Sequence, residues 1–191
     1  MDIEEAIYKR RTIRRYKLDP IPRDILKKLI DYARVAPMAR NVQGLEFVIV
    51  ENSEIREKLF KLIKFAGSLP EDQRTPEPGR EPTAYIIVLV NTEIKPSFFD
   101  FDIGAAAENI LLGAVKYGIG SCWMANINVR KIKSLLKIPD QYQVKHVISL
   151  GYPDEESFME PYEDSYKYWK NPDGTMHVPK RDLDDIIYKI F

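Results

Sequence analysis

Asp102-Ile103-Gly104-Ala105-Ala106-Ala107-Glu108-Asn109-Ile110-Leu111-Leu112-Gly113-Ala114-Val115-Lys116-Tyr117 is the most apolar helical stretch of the chain. A surface helix needs only one apolar stripe, whereas this one is apolar nearly all round and must be covered on every side. In a chain of 191 residues, that points to a second subunit over one face. Gly118 closes the helix at the position where glycine relieves left-handed backbone. Strands lie on both sides of it in sequence. Tyr85-Ile86-Ile87-Val88-Leu89-Val90 is apolar on both faces and reads as a buried strand. Phe47–Val50 reads as another, and Ser121–Met124 as a short strand or connector. Val144, His146, Ile148 and Leu150 alternate along a further strand, ended by Gly151-Tyr152-Pro153.

The remaining helices follow from spacing and caps. Residues 2–9 place Asp2, Glu4 and Glu5 in a first turn. Residues 23–35 are amphipathic behind Pro22. Asn52 or Ser53 opens a third helix with Ile55, Leu59, Leu62, Ile63 and Ala66 inside, and Asn128 caps a helix over 129–137. Two stretches lack any period. Residues 67–83 hold four prolines and two glycines, and residues 154–177 are acidic and aromatic. Both read as lids, the second also as an arm across a partner. The tail, 178–191, reads as a turn and then a strand. The whole, 1–191, is expected to be one domain.

Composition excludes several classes. Twenty-nine basic residues balance 29 acidic ones, so the chain is not a wholesale nucleic-acid binder. Cys122 is the only cysteine, which rules out an internal disulfide and a CxxC zinc framework. There is no apolar leader and no membrane-length apolar run, so a cytoplasmic protein is expected. Only His146 and His177 are available as histidines, and neither has metal-ligand or triad spacing. His146 lies on an apolar strand face and reads as core. Gly118-Ile119-Gly120 lacks a third glycine and follows a helix, unlike a dinucleotide fingerprint. Asp100-Phe101-Asp102 begins like a calcium loop, but Ala105 stands where glycine is required. No side-chain machinery suffices for catalysis, so a cofactor that carries the chemistry fits better.

One cluster could hold such a group. Arg10, Arg11, Arg14 and Arg15 surround Thr12 in Lys9-Arg10-Arg11-Thr12-Ile13-Arg14-Arg15-Tyr16. In extended backbone Arg10, Thr12 and Arg14 point one way, and Arg11, Ile13 and Arg15 the other. Two arginine forks and a hydroxyl suit a phosphate dianion. The same residues also suit a solvated basic run at a helix C-terminus.

Arg10-Arg11-Thr12-Ile13-Arg14, Ala36-Pro37-Met38-Ala39-Arg40-Asn41-Val42-Gln43, Gly118-Ile119-Gly120-Ser121-Cys122-Trp123 and His177-Val178-Pro179-Lys180-Arg181 come in this order. Together they resemble the motifs of the FMN-dependent nitroreductase family. The resemblance implies an α+β fold, a three-layer α/β/α sandwich with a mostly antiparallel mixed sheet. It also implies a homodimer that exchanges its C-terminal strand and holds FMN at the interface. It places Arg10, Arg11, Thr12 and Arg14 at the FMN phosphate and ribityl chain, joined by Lys180 and Arg181. Met38, Ala39, Asn41 and Gln43 then come from the other subunit, and Trp123, Met124, Ala125 and Asn126 lie against the ring. No side chain is expected to be catalytic, since the chemistry belongs to flavin N5. The implied activity is ping-pong hydride transfer from NAD(P)H to nitroaromatics or quinones. Dehalogenation, flavin breakdown and a non-catalytic nucleotide-binding regulator are the alternatives. The chain departs from the family's pattern at Met38 and Ala39 (serines there), Gly44-Leu45 (Pro-Trp) and Ala125-Asn126 (an acidic residue and glycine).

Overall fold

The structure is a computed structural model, which describes residues 1–94 and 97–191. In chain order the elements are α1 (Ile3–Lys9), α2 (Arg23–Arg34), a 3-10 turn (Ala39–Asn41), β1 (Leu45–Val50), α3 (Ser53–Phe60) and α4 (Glu71–Arg74). There follow β2 (Ala84–Asn91), α5 (Phe99–Lys116), β3 (Gly120–Met124), α6 (Val129–Leu135) and β4 (Tyr142–Gly151). The chain closes with β5 (Ser157–Pro161), β6 (Trp169–Lys170), β7 (Met176–Lys180) and α7 (Leu183–Ile186). Caps act where the sequence placed them: Asp2, Asn52 and Asn128 each accept from the backbone N–H three residues on.

The main sheet has the order β1-β2-β4-β3, every pair antiparallel. Residues 10–16 add a partial fifth strand. Thr12 bridges Ser121 in parallel, which makes the sheet mixed. β2 is buried on both faces, as its unbroken apolar run requires. Ile86, Val88, Val90, Ile148 and Leu150 meet α2 and α5 on one side. Tyr85, Ile87, Leu89, Cys122 and Val147 meet α3 and α6 on the other. The fold is therefore an α+β three-layer sandwich with two cores.

Four details differ from the sequence expectations. A bulge between Val88 and Leu89 leaves Lys145 unpaired, since Val88 pairs His146 and Leu89 pairs Val144. Val144 thereby joins the α3/α6 core with Val147, while Ile148 and Leu150 stay on the α5 side. α3 ends at Phe60, not at 66, because Ile63 leaves to bridge Ile127 and Ala66 takes positive φ (43°). Residues 154–177 were expected to lack regular elements; they carry β5, β6 and the start of β7, parallel for β5 with β7 and antiparallel for β6 with β7. The tail forms α7, and 187–191 are exposed and in no strand of the chain itself.

α5 is only half covered within one chain. Ile103, Ala106, Ala107, Ile110, Leu111 and Ala114 are buried, whereas Phe101 and Glu108 are exposed. Among the described residues no helix is long and apolar enough to cross a membrane, and no group of histidine, cysteine and acidic residues could hold a metal ion.

Candidate cofactor site

The site is built where the N-terminal segment lies along β3. Ile13 N donates to Ser121 O at 2.9 Å, beside the Thr12–Ser121 bridge. This close approach explains Gly120: a Cβ there would stand 2.7 Å from Ile13 Cβ. Tyr16, fully buried, packs over Gly151 in the same manner and donates its hydroxyl to Ile13 O. Two glycines in neighbouring strands thus let the basic segment lie flat against the sheet edge.

The segment's arginines differ sharply in their partners. Arg15, 2% exposed, forms a bidentate pair with Glu77, Nε to Oε2 at 2.7 Å and Nη2 to Oε1 at 2.8 Å. Its Nη1 lies 3.5 Å from Glu155 Oε2, and Lys170 Nζ lies 3.4 Å from the same oxygen. Glu155 is itself buried, and its Oε1 accepts Arg14 N at 2.6 Å. Burial works against the Arg15 charge, but the Glu77 hydrogen bond and the Glu155 charge outweigh it and hold the guanidinium above its usual pKa. The Glu77 carboxyl is brought down to about 2, chiefly by its hydrogen bond with Arg15. Burial lowers the Lys170 ammonium.

The other three arginines are much less neutralised. Arg14, 8% exposed, lies with its guanidinium carbon 4.8 Å from the centre of the Tyr168 ring, and its buried Nε has no partner among the described residues. Arg10 Nε is 3.4 Å from Glu108 on α5, and Arg11 Nη2 donates to Tyr8 O at 3.0 Å. Burial, then the neighbouring Arg10 charge, lowers the Arg11 guanidinium.

β3 carries the segment's line onward to Trp123, Met124, Ala125 and Asn126. Trp123 is 40% exposed, and its ring lies 5.3 Å from that of His146. Met124 is buried; Ala125 and Asn126 are exposed, with Asn126 O accepting Lys64 N at 3.0 Å. His146 is half-buried, and its Nδ1 has no partner among the described residues. It is therefore not the satisfied core histidine that its strand position implied. Burial, then Lys145, lowers its imidazole pKa.

The loop before β1 sits at the N-terminal end of α5. Ala39 N donates to Asp102 Oδ1 at 2.7 Å, and Met38 packs on the α5-side core. Arg40, Asn41 and Gln43 all adopt left-handed backbone, with φ of 54°, 54° and 55°. Three such non-glycine residues in four positions store strain of the kind found at ligand sites. Asn41 and Gln43 are exposed, and Gln43 Nε2 donates to Asn41 O at 3.3 Å. Lys180 ends β7 and Arg181 follows it; Tyr162 N donates to Lys180 O at 2.8 Å, and Arg181 reaches Asp185 O. Within one chain, then, the Arg10–Arg14 segment and the 123–126 stretch share one sheet edge. The 38–43 loop and the Lys180–Arg181 pair stand on other elements.

A family model described as the Nitroreductase family matches residues 7–152. The chain belongs to the nitroreductase family. A putative NADH dehydrogenase/NAD(P)H nitroreductase of Archaeoglobus fulgidus is 34% identical over 164 residues, covering 82% of this chain and 88% of that one. Among solved structures, a nitroreductase family protein of Clostridium novyi is 32% identical with a TM-score of 0.67, covering 80% and 87% of the two chains. An FMN-dependent nitroreductase of Clostridium difficile is 29% identical with a TM-score of 0.65, covering 83% and 91%. The nitroreductase match ends at residue 152, so Glu155, Tyr168 and Lys170 lie outside it. These three were also missed in sequence. Nothing in a stretch of mixed acids and aromatics tells which acid meets Arg15 or which ring meets Arg14.

Proposed function

We propose that this nitroreductase-family chain is an FMN-dependent oxidoreductase, passing hydride from NAD(P)H to flat acceptors such as nitroaromatics or quinones by a ping-pong mechanism. The observation that carries the reading is Arg14, a buried guanidinium whose Nε has no partner among the described residues, two residues beyond Thr12 of the Thr12–Ser121 bridge. A buried donor next to an uncompensated positive charge calls for an anionic acceptor. The phosphate of FMN supplies one, so the residues present fit the group. When bound, FMN supplies hydride transfer at its N5. The chain's own part is to anchor and orient. Arg10, Arg11, Thr12 and Arg14, with Lys180 and Arg181, hold the phosphate and ribityl end. Trp123 to Asn126 present backbone to the ring, where fixed N–H dipoles favour developing negative charge.

The active form in this reading is a homodimer. Half-exposed α5, together with the exposed apolar residues Ile186, Ile187, Ile190 and Phe191, supports a partner over α5 and a tail exchanged into the partner's structure. Met38, Ala39, Asn41 and Gln43 then complete the partner's site. Residues 67–83 and 154–177 frame what reaches the ring within the single domain 1–191. The test is the flavin spectrum of the purified protein, followed by anaerobic titration with NADH and NADPH. A yellow protein bleached by either is expected. A colourless protein that stays so with FMN overturns the reading in favour of a non-catalytic regulator. A yellow protein that neither nicotinamide bleaches points to a relative with other flavin chemistry. The Arg10→Ala/Arg14→Ala double variant is expected to lose its flavin, and unchanged occupancy refutes the phosphate assignment.

A further inference from the structure

Adjacent arginines in this site are held by opposite means. Arg15 spends its donors on Glu77 and Glu155, so its charge is neutralised where it stands. Arg14 is held by a ring. Its guanidinium carbon lies over Tyr168 at 4.8 Å from the centroid. A ring face attracts a cation through its quadrupole but accepts none of the in-plane N–H bonds that a carboxylate would take. Arg14 thus stays oriented with its full charge, and its Nε remains buried and unpartnered among the described residues.

Tyr168 is itself fixed from two directions. It immediately precedes β6, and its hydroxyl accepts Ser68 N at 3.3 Å, so the ring is tied to the small sheet and to the 67–83 loop at once. It also packs against the α3/α6 core. Tyr168 lies beyond residue 152, where the family match stops. The device therefore comes from this chain's own arm acting on an arginine inside the matched region.

We propose that Tyr168 is a positioning residue for the cofactor phosphate: its ring holds Arg14 in place without neutralising the arginine's charge or occupying its donors, and so slows release of FMN. This rests on the reading of Arg14 as a phosphate ligand. Riboflavin separates the two, because it carries the same ring system without the phosphate. FMN and riboflavin dissociation are measured by flavin fluorescence on reconstituted wild type, Tyr168→Phe, Tyr168→Leu and Arg14→Met. The leucine variant is expected to release FMN about tenfold faster, inside the range that a partly desolvated cation–π contact supports. Tyr168→Phe, which keeps the ring face, is expected within about twofold of wild type on the same basis. Riboflavin release is expected to be equal in all three. Tyr168→Met serves in place of leucine if that variant does not fold. Wild-type FMN release in the leucine variant overturns the proposal. So does equal loss of FMN and riboflavin, which marks a merely structural role, or a phenylalanine variant as leaky as leucine. If Arg14→Met weakens FMN while Tyr168→Leu does not, this inference alone fails. If Arg14→Met holds FMN as wild type does, the phosphate reading fails and takes this inference with it.

Discussion

Replacing Gly120 by alanine tests how the cofactor segment is seated. The new Cβ would meet Ile13 Cβ at 2.7 Å and both Ile13 γ-carbons at 2.9 Å. These atoms sit at the root of a branched side chain, so rotation about χ1 cannot clear them. The backbone has to give instead, by about 0.7 Å to reach ordinary contact at 3.4 Å. Ile13 stands between Thr12 and Arg14, and its own N–H bonds Ser121 O at 2.9 Å. A shift of that size weakens this bond and carries both phosphate-side residues outward. Overpacking costs about 1–3 kcal/mol, which for a chain of this length is a Tm loss of about 2–4 °C per kcal/mol. Losing good geometry in one charge-assisted hydrogen bond costs a further 1.5–3 kcal/mol or so in binding, about tenfold or more in FMN affinity. Thermal melts with and without FMN, together with a fluorescence titration, read both effects. Gly113→Ala is the control. Its Cβ would clash with the Tyr32 ring and not with Ile13, so it should lower Tm and leave FMN affinity alone. A Gly120→Ala protein with wild-type Tm and wild-type FMN affinity would refute the seating argument.

Other perturbations address the rest of the site. Arg15→Met leaves buried Glu155 with only Lys170 beside it and should cost about 3–5 kcal/mol in urea denaturation, since half a buried pair is worse than none; a loss under about 1 kcal/mol would show that the network contributes no net stability. The Glu77 carboxyl titrates lower folded, at about 2, than its ordinary 4.5, so its contribution is full above about pH 4.5 and fades as pH falls toward about 2. Glu77→Gln should therefore show a flatter stability curve across that acid window, and identical curves would contradict the pairing. Burial pushes the Cys122 thiol up to about 11. It should resist thiol reagents at neutral pH until the protein unfolds, whereas rapid native-state labelling would mean the strand is open.

The sequence made some parts legible and hid others for physical reasons. β2 announces itself because burial on both faces removes every polar position from Ile86 to Val90, and α5 by its apolar run from Ile110 to Leu112. The extended course of the basic segment is legible in its alternating pattern, and the Thr12–Ser121 bridge sets its middle beside β3. The bulge at Lys145 was not, since alternation from Val144 to Leu150 is unbroken in sequence and only the register with β2 inserts the extra residue. The small sheet was hidden for a related reason. Pro161 ends β5 and Pro179 sits near the end of β7, and proline in a strand reads as a sign against one. Its strands are aligned by contacts far apart in the chain: Glu160 accepts Trp169 Nε1 at 2.8 Å and pairs with His177 Nδ1 at 3.0 Å, while the two rings stack at 4.0 Å. Local propensity carries no trace of such contacts.

The Thr12–Ser121 bridge has a consequence for how the protein is made. Residues 10–16 are translated well before their anchors, Ser121, Pro153 and Glu155. Arg14 must wait for a carboxylate 141 residues downstream, which at roughly 5–20 residues per second is a delay of roughly 7–30 s. Residues 10–16 are therefore translated long before the chain can seat them. In the proposed reading, a nascent chain does not hold flavin through Arg14 until the arm has been translated.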